Sequence, residues 1–257
     1  MLGPLPRSLV LLLWVTGCQP SAASTTSPTS PQISDSSAEA SPPHPQGHAE
    51  PNAHHDGRRH HRHHRFEDAE QWAKMFDDPS RVEWQRPEEV IDYVAPAPNA
   101  RIADLGAGTG YFAMRWARRV PQGQVFANDV EPDMVRYLTE RAAKEGLDNV
   151  VAVEGSADDP RLPEPVDVVF LCNVFHHIEN PDVFFGHVRE GLRPGGRVVI
   201  VDFEKDAPED APGPPPAMRV AHDDLVATLA PIGLALVRSD RQRLPYQYIV
   251  ELSVASE

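Results

Sequence analysis

Asp104 stands at the end of an apolar run, and Gly106, Gly108 and Gly110 follow it at alternate positions. Asp129 closes a second apolar run, Val125-Phe126-Ala127-Asn128-Asp129, 19 residues beyond Gly110. A backbone without Cβ atoms can turn sharply and lie close against a ligand. A carboxylate at the tip of a second strand, at about this distance from a glycine-rich turn, can accept both hydroxyls of a ribose. The residues therefore suit a nucleoside-bearing ligand held over the ends of parallel strands. A nicotinamide-type G-x-G-x-x-G/A turn is excluded, because counting from Gly106 its last position falls on Tyr111. Asp104 has a second reading, as an acid capping the helix that begins after Gly110.

The elements that must position these groups can be read onward. Val130-Glu131-Pro132-Asp133-Met134 starts a helix with proline near its first turn, where proline is tolerated. Val150 to Glu154 forms a third strand, followed by Gly155-Ser156-Ala157-Asp158. Val166 to Cys172 is apolar along most of its length, as expected of a strand buried on both faces, and leads into Asn173-Val174-Phe175-His176-His177. Leu192-Arg193-Pro194-Gly195-Gly196 turns into a fifth strand, Arg197 to Asp202. Asp223 to Pro231 reads as a helix, and strands starting at Leu234 and Tyr246 close the chain.

The G-x-G-x-G turn with its preceding acid, the acid at position 129, the Asp158 segment and the Leu192–Asp202 turn and strand together resemble class I S-adenosylmethionine (SAM)-dependent methyltransferases. Within that class the turn and fifth strand are similar to those of the ubiquinone/menaquinone C-methyltransferase type. The resemblance runs from about residue 86 to residue 254. It implies an α/β, Rossmann-like, doubly wound sheet of seven strands, mostly parallel with an antiparallel last strand, and helices on both faces. It also implies SAM as cofactor and a small-molecule methyl acceptor. The implied cofactor site comprises Asp104, Gly106, Ala107, Gly108, Gly110, Asp129, Val130, Ala157, Asp158 and Asn173. In it the glycine turn holds the methionine part, Asp129 the ribose and Asp158 the adenine, with Asp159 as the alternative to Asp158. Asn173 would face the methionine amino group through its backbone or its amide.

An acceptor that must lose a proton needs a base, and imidazole titrates in the right range. His176 and His177 are the catalytic candidates and His222 a second choice. Their other reading is structural, as caps of the turn after the fourth strand. A thiol mechanism of arsenite methylation is excluded by cysteine count, since the chain holds only Cys18 and Cys172.

The amino-terminal part is of another kind. Ser8 to Val15 is a short apolar run behind Arg7, too short to span a bilayer as a permanent helix, and Val15-Thr16-Gly17-Cys18 puts small residues before a cysteine. This resembles the lipobox of bacterial lipoproteins. It implies a signal peptide over residues 1–17, lipid on Cys18, attachment to a membrane through that lipid, and a place in the cell envelope on the periplasmic or outer-membrane side. A misassigned start codon would make the protein cytoplasmic instead. Residues 18–65 read as a Ser-, Pro- and His-rich tether, with Ile33 its only large aliphatic side chain, too little apolar surface to offset chain entropy. Eight of the twelve histidines fall between His44 and His64. His60, His61, His63 and His64 offer imidazole to a metal, but without the ligand spacing of a structural zinc site and with arginines interleaved. A solvated linker is the other reading.

The third segment, 66–257, carries the methyltransferase-like domain, with a helical cap over 66–95. It holds 19 basic against 34 acidic residues. Such a balance argues against nucleic acid as a partner, since phosphates are neutralised by Lys and Arg. Trp72 and Trp84, on the cap, either line a substrate pocket or pack on the sheet. The Pro-rich stretch Ala207–Pro216 lies where this class inserts substrate loops. Two classes of function are compatible with these features: an active methyltransferase, or a lipid-anchored binding protein that keeps the fold and handles metal with its histidine tail. Nothing in the sequence specifies the acceptor or an oligomeric state.

Overall fold

The computed structural model describes residues 68–255. Phe66, Cys18 and the histidines from His44 to His64 lie outside them, as do the signal-peptide and tether assignments.

Three helices lead into the sheet: α1 (Ala69–Phe76), α2 (Arg81–Gln85) and α3 (Pro87–Val94). The cap expected as a helical pair is thus broken once more, at Arg86, whose φ of 43° turns the chain between α2 and α3. Then follow β1 (Arg101–Leu105), α4 (Ala113–Arg119), β2 (Gln124–Asp129), α5 (Pro132–Glu145), β3 (Val150–Glu154) and β4 (Val166–Cys172). The chain ends through α6 (Pro181–Glu190), β5 (Leu192–Phe203), α7 (His222–Leu229), β6 (Leu234–Asp240) and β7 (Gln247–Val254). The Leu192–Gly196 segment, read from sequence as a turn, belongs to β5, with a register irregularity against β4 marking where it bends.

The seven strands lie in the order β3-β2-β1-β4-β5-β7-β6. Pairings from β3 through β5 are parallel, and β7 runs antiparallel to both β5 and β6. Successive strand residues face opposite sides. Val168 and Phe170 of β4 therefore enter one core layer, with α3, α4 and α5, while Val169 and Leu171 enter the other, with α6 and α7. Trp116 of α4 is fully buried, 5.0 Å from the ring of Phe170 and 6.3 Å from that of Phe112. β1 pairs with β2 on one side and β4 on the other, so the strand order reverses there. In open α/β sheets the crevice at the carboxyl ends of the strands at such a reversal is where ligands bind.

Candidate active site

The carboxyl end of β1 delivers Asp104 to that crevice, and the chain then bends through Gly106, Gly108 and Gly110 with φ of 68°, 56° and 90°. Two of these positions have no room for a side chain. A Cβ on Gly106 would stand 2.5 Å from Val174, and one on Gly110 would stand 2.9 Å from both Leu138 and Met114. The glycines thus let the loop after β1 meet the loop after β4 and the face of α5.

Asp104 is 2 % exposed and its Oδ2 has no hydrogen-bond partner. Burial pushes its carboxyl up to about 8, against the pull of the Arg81 guanidinium. The N–H of Ala113, the first residue of α4, also acts on the carboxylate, so the capping reading and the site reading describe the same side chain. Arg81, from α2, donates through its two terminal nitrogens to the Phe76 carbonyl and to Gln85 Oε1, while its buried Nε has no partner. Its guanidinium lies over the Tyr111 ring, 3.9 Å from the centroid. An unmet carboxylate oxygen and an unmet guanidinium nitrogen thus sit together beneath the glycine turn. They match the ammonium and carboxylate of an amino-acid end group, and the bare backbone above supplies the close approach. The residues fit the methionine portion of SAM.

Asp129 is 8 % exposed. Its Oδ2 accepts the Gly108 N–H at 2.8 Å and its Oδ1 the Glu131 N–H at 3.0 Å. Burial raises its pKa, and these N–H groups oppose the shift. Beside it Val130 is half exposed at the rim, as is Ala157 across the cleft. The two neighbouring acids after β3 are used differently. Asp159 Oδ1 accepts the Arg161 N–H, closing its own loop, whereas Asp158 stands exposed with only Asn180 Nδ2 on its Oδ1 at 2.8 Å. Of the two acids, Asp158 is thus the more exposed and the less engaged with its own backbone.

Asn173 departs from expectation in one respect. It has a φ of 62°, and its amide is turned into a network rather than toward a ligand: its Nδ2 donates to Gln85 Oε1 at 3.4 Å and its Oδ1 accepts from Gln247 Nε2. Gln85 Nε2 in turn donates to Gln247 Oε1 at 2.7 Å, and Cys172 Sγ contacts Gln85 Oε1 at 3.5 Å. Both glutamines are fully buried. This network ties α2 to the ends of β4 and β7, which sequence reasoning did not anticipate. Burial pushes the Cys172 thiol up to about 12, so it is not a thiolate nucleophile.

His176 and His177 lie on one helical turn after β4, their rings 4.2 Å apart, and they separate in role. His177 is exposed. His176 Nδ1 sits 3.0 and 3.1 Å from the two oxygens of Asp202, at the end of β5. An ionised carboxylate only accepts, so Nδ1 must be the donor. His222 forms a similar pair with Asp223 at 2.7 Å, but its Nε2 is buried without a partner and its ring stands edge-on to Tyr248. Trp72 stacks on Phe76, whose ring covers Gly108, and Trp84 faces Phe203 at 5.7 Å. The Pro-rich segment folds back on the same strand end: Gly213 lies against the Phe203 ring, and buried Arg219 holds the carbonyls of Ala207, Pro208 and Pro214. Arg81, Gln85, Asp202 and Gln247 are the site residues that sequence reasoning missed. Asp202 carried a signal, since like Asp104 and Asp129 it is an acid at the carboxyl end of a buried strand.

Residues 102–196 match the protein family described as a methyltransferase domain. The solved structure of a SAM-dependent methyltransferase from Aquifex aeolicus superimposes with a TM-score of 0.66 at 27 % identity, over 73 % of this chain and 99 % of that one. Over residues 102–196 the chain carries a methyltransferase domain, and its fold is that of the SAM-dependent methyltransferase from Aquifex aeolicus. Its sequence is 35 % identical over 114 residues to the malonyl-[acyl-carrier protein] O-methyltransferase of Methylococcus capsulatus, which covers 44 % of this chain and 40 % of that protein. It is 26 % identical over 164 residues to the ubiquinone/menaquinone biosynthesis C-methyltransferase of Cereibacter sphaeroides, over 63 % of this chain and 62 % of that one. The chain thus spans between two fifths and two thirds of the length of these relatives.

The methyltransferase domain should carry the imprint of its buried acid. A carboxyl whose folded pKa is raised contributes stability at low pH that is lost as pH rises through the folded value. Ligand-free protein should therefore lose thermal stability relative to Asp104→Asn as pH rises from about 5 to about 9, with the difference levelling off above. Parallel melting curves that keep a constant separation over this range would show that Asp104 is not buried and unmet as described.

Proposed function

We propose that this protein transfers a methyl group from SAM to a small-molecule acceptor. The observation that carries this reading is the pair of unmet groups, Asp104 Oδ2 and Arg81 Nε, beside a glycine turn at the carboxyl ends of the central strands. Asp104 and Arg81 would hold the amino-acid end of SAM, Asp129 its ribose, and Val130, Ala157 and Asp158 the rim at its adenine. Bound SAM supplies a methyl group on a sulfonium, already electrophilic. The protein's own work is then to orient an acceptor in line and exclude water, which can lower a barrier by roughly 7–11 kcal/mol. Of the curated relatives named above, the ubiquinone/menaquinone biosynthesis C-methyltransferase supports a small organic acceptor.

Calorimetric titration tests the reading. SAM and S-adenosylhomocysteine (SAH) should both bind, and Asp129→Ala should weaken both at least about tenfold, as expected for a lost hydrogen bond to a charged group. A folded protein that binds neither would overturn the assignment.

The lipobox-like Val15-Thr16-Gly17-Cys18 further supports attachment through lipid on Cys18, and so a place in the cell envelope. Palmitate labelling of cells expressing the full chain should vanish in Cys18→Ala and move the protein from the membrane to the soluble fraction. Unlabelled protein with residues 1–17 retained would contradict the anchor.

A further inference from the structure

Resting on the methyltransferase reading, we infer that Gln247, at the start of β7, is a positioning residue for the carboxylate of the cofactor, acting through Gln85 on Arg81. The side-chain amides of Asn173, Gln85 and Gln247 form a closed ring. Asn173 Nδ2 donates to Gln85 Oε1 at 3.4 Å, Gln85 Nε2 donates to Gln247 Oε1 at 2.7 Å, and Gln247 Nε2 donates to Asn173 Oδ1. Each amide gives one hydrogen bond to the ring and accepts one from it, so a single amide turned over would set oxygen against oxygen.

Arg81 fixes the sense in which the ring runs. A guanidinium only donates, and Arg81 Nη2 lies 3.3 Å from Gln85 Oε1, so the oxygen of that amide must face it. The Cys172 thiol, protonated because burial pushes it up to about 12, lies 3.5 Å from the same oxygen. With Gln85 set, Gln247 and then Asn173 have one orientation each. The dependence is mutual: while the ring is closed, Gln85 cannot turn its Nε2 toward the guanidinium.

Position and charge give the ring a task beyond packing. Gln85 and Gln247 are fully buried, where apolar side chains would carry no desolvation cost. What apolar side chains cannot supply is an oxygen for Arg81. The two oxygens to which Arg81 donates, the Phe76 carbonyl at 2.8 Å and Gln85 Oε1, are both neutral. They direct the guanidinium without cancelling its charge, which remains for an anionic ligand group to meet at the unpartnered Nε. The sheet supplies the fixed points. Gln247 stands in register with Phe203 of β5, and the Asn173 N–H donates to the Val201 carbonyl at 2.9 Å. Gln85 belongs instead to a helix of five residues, too short to hold its own place. Two points on the sheet therefore decide where α2 carries Arg81.

The test titrates SAH and 5′-methylthioadenosine, which lacks the amino-acid end, into the full chain. The variants are Gln247→Met, nearly isosteric, Gln247→Leu, and Gln247→Met combined with Arg81→Met. Each Gln247 variant should weaken SAH at least about tenfold and leave 5′-methylthioadenosine within about twofold of the wild type. In the Arg81→Met background, Gln247→Met should weaken SAH by less than about twofold more, because the residue it acts through is gone. Equal losses for both ligands, from misfolding or otherwise, would reduce Gln247 to a structural residue, and an undiminished loss without Arg81 would mean another route. Either result, or unchanged SAH affinity in both single variants, overturns the inference and leaves the methyltransferase reading standing. If the wild type does not bind SAH, the underlying reading fails with it.

Discussion

Two buried polar atoms without a partner define this site. Asp104 and Arg81 each leave one polar atom unmet in the protein interior, and each is brought there by a different part of the chain: the end of β1 and the short helix α2. Burying an unpaired ionic group costs several kcal/mol unless it is neutralised or finds a partner. Protonation of Asp104, raised to about 8, relieves part of that cost in the free protein. In the proposed function, a zwitterionic ligand end group would relieve the rest by meeting both atoms at once. The same arrangement makes α2 part of the site rather than a cover over it.

The remaining architecture serves to keep these groups in place. Gln85, one helical turn beyond Arg81, is locked by Gln247 and Asn173 into the ends of β7 and β4. On the other side, Asp77 just after α1 bonds Thr109 in the glycine loop and pairs with Arg141 of α5 at 2.9 Å, while Glu70 pairs with Arg136. The amino-terminal helices are thus fastened at a buried amide network and at a more exposed ionic one. The first is insulated from salt; the second is screened by it.

The sheet was legible because its signals are local and repeated. Most of the seven strands carry an apolar run bounded by turn residues, and β3 and β4 begin and end where their runs do. The glycine turn, Asp104 and Asp129 were legible for the same reason, since a fixed spacing brings them to one crevice. What escaped the sequence depends on contacts between distant segments. Gln85 and Gln247 are 162 positions apart, and neither lies in a patterned motif. The use of the Asn173 amide could not be read without them. Of the two neighbouring acids, only the structure shows that the backbone turn engages Asp159 and leaves Asp158 exposed. His176 and His177 are chemically identical in sequence, and only the position of Asp202 on β5 distinguishes them.

Recognition of the amino-acid end of the cofactor by Asp104 and Arg81 is the central feature of the proposed site. The most direct measurement compares the affinities of the wild-type protein for SAH and for 5′-methylthioadenosine, which keeps the adenosine and sulfur but lacks the ammonium and carboxylate. SAH should bind at least about a hundredfold more tightly, as two charge-assisted hydrogen bonds require. Equal affinities would contradict it, because they would mean that the two buried charges beneath the glycine turn are not what holds the ligand.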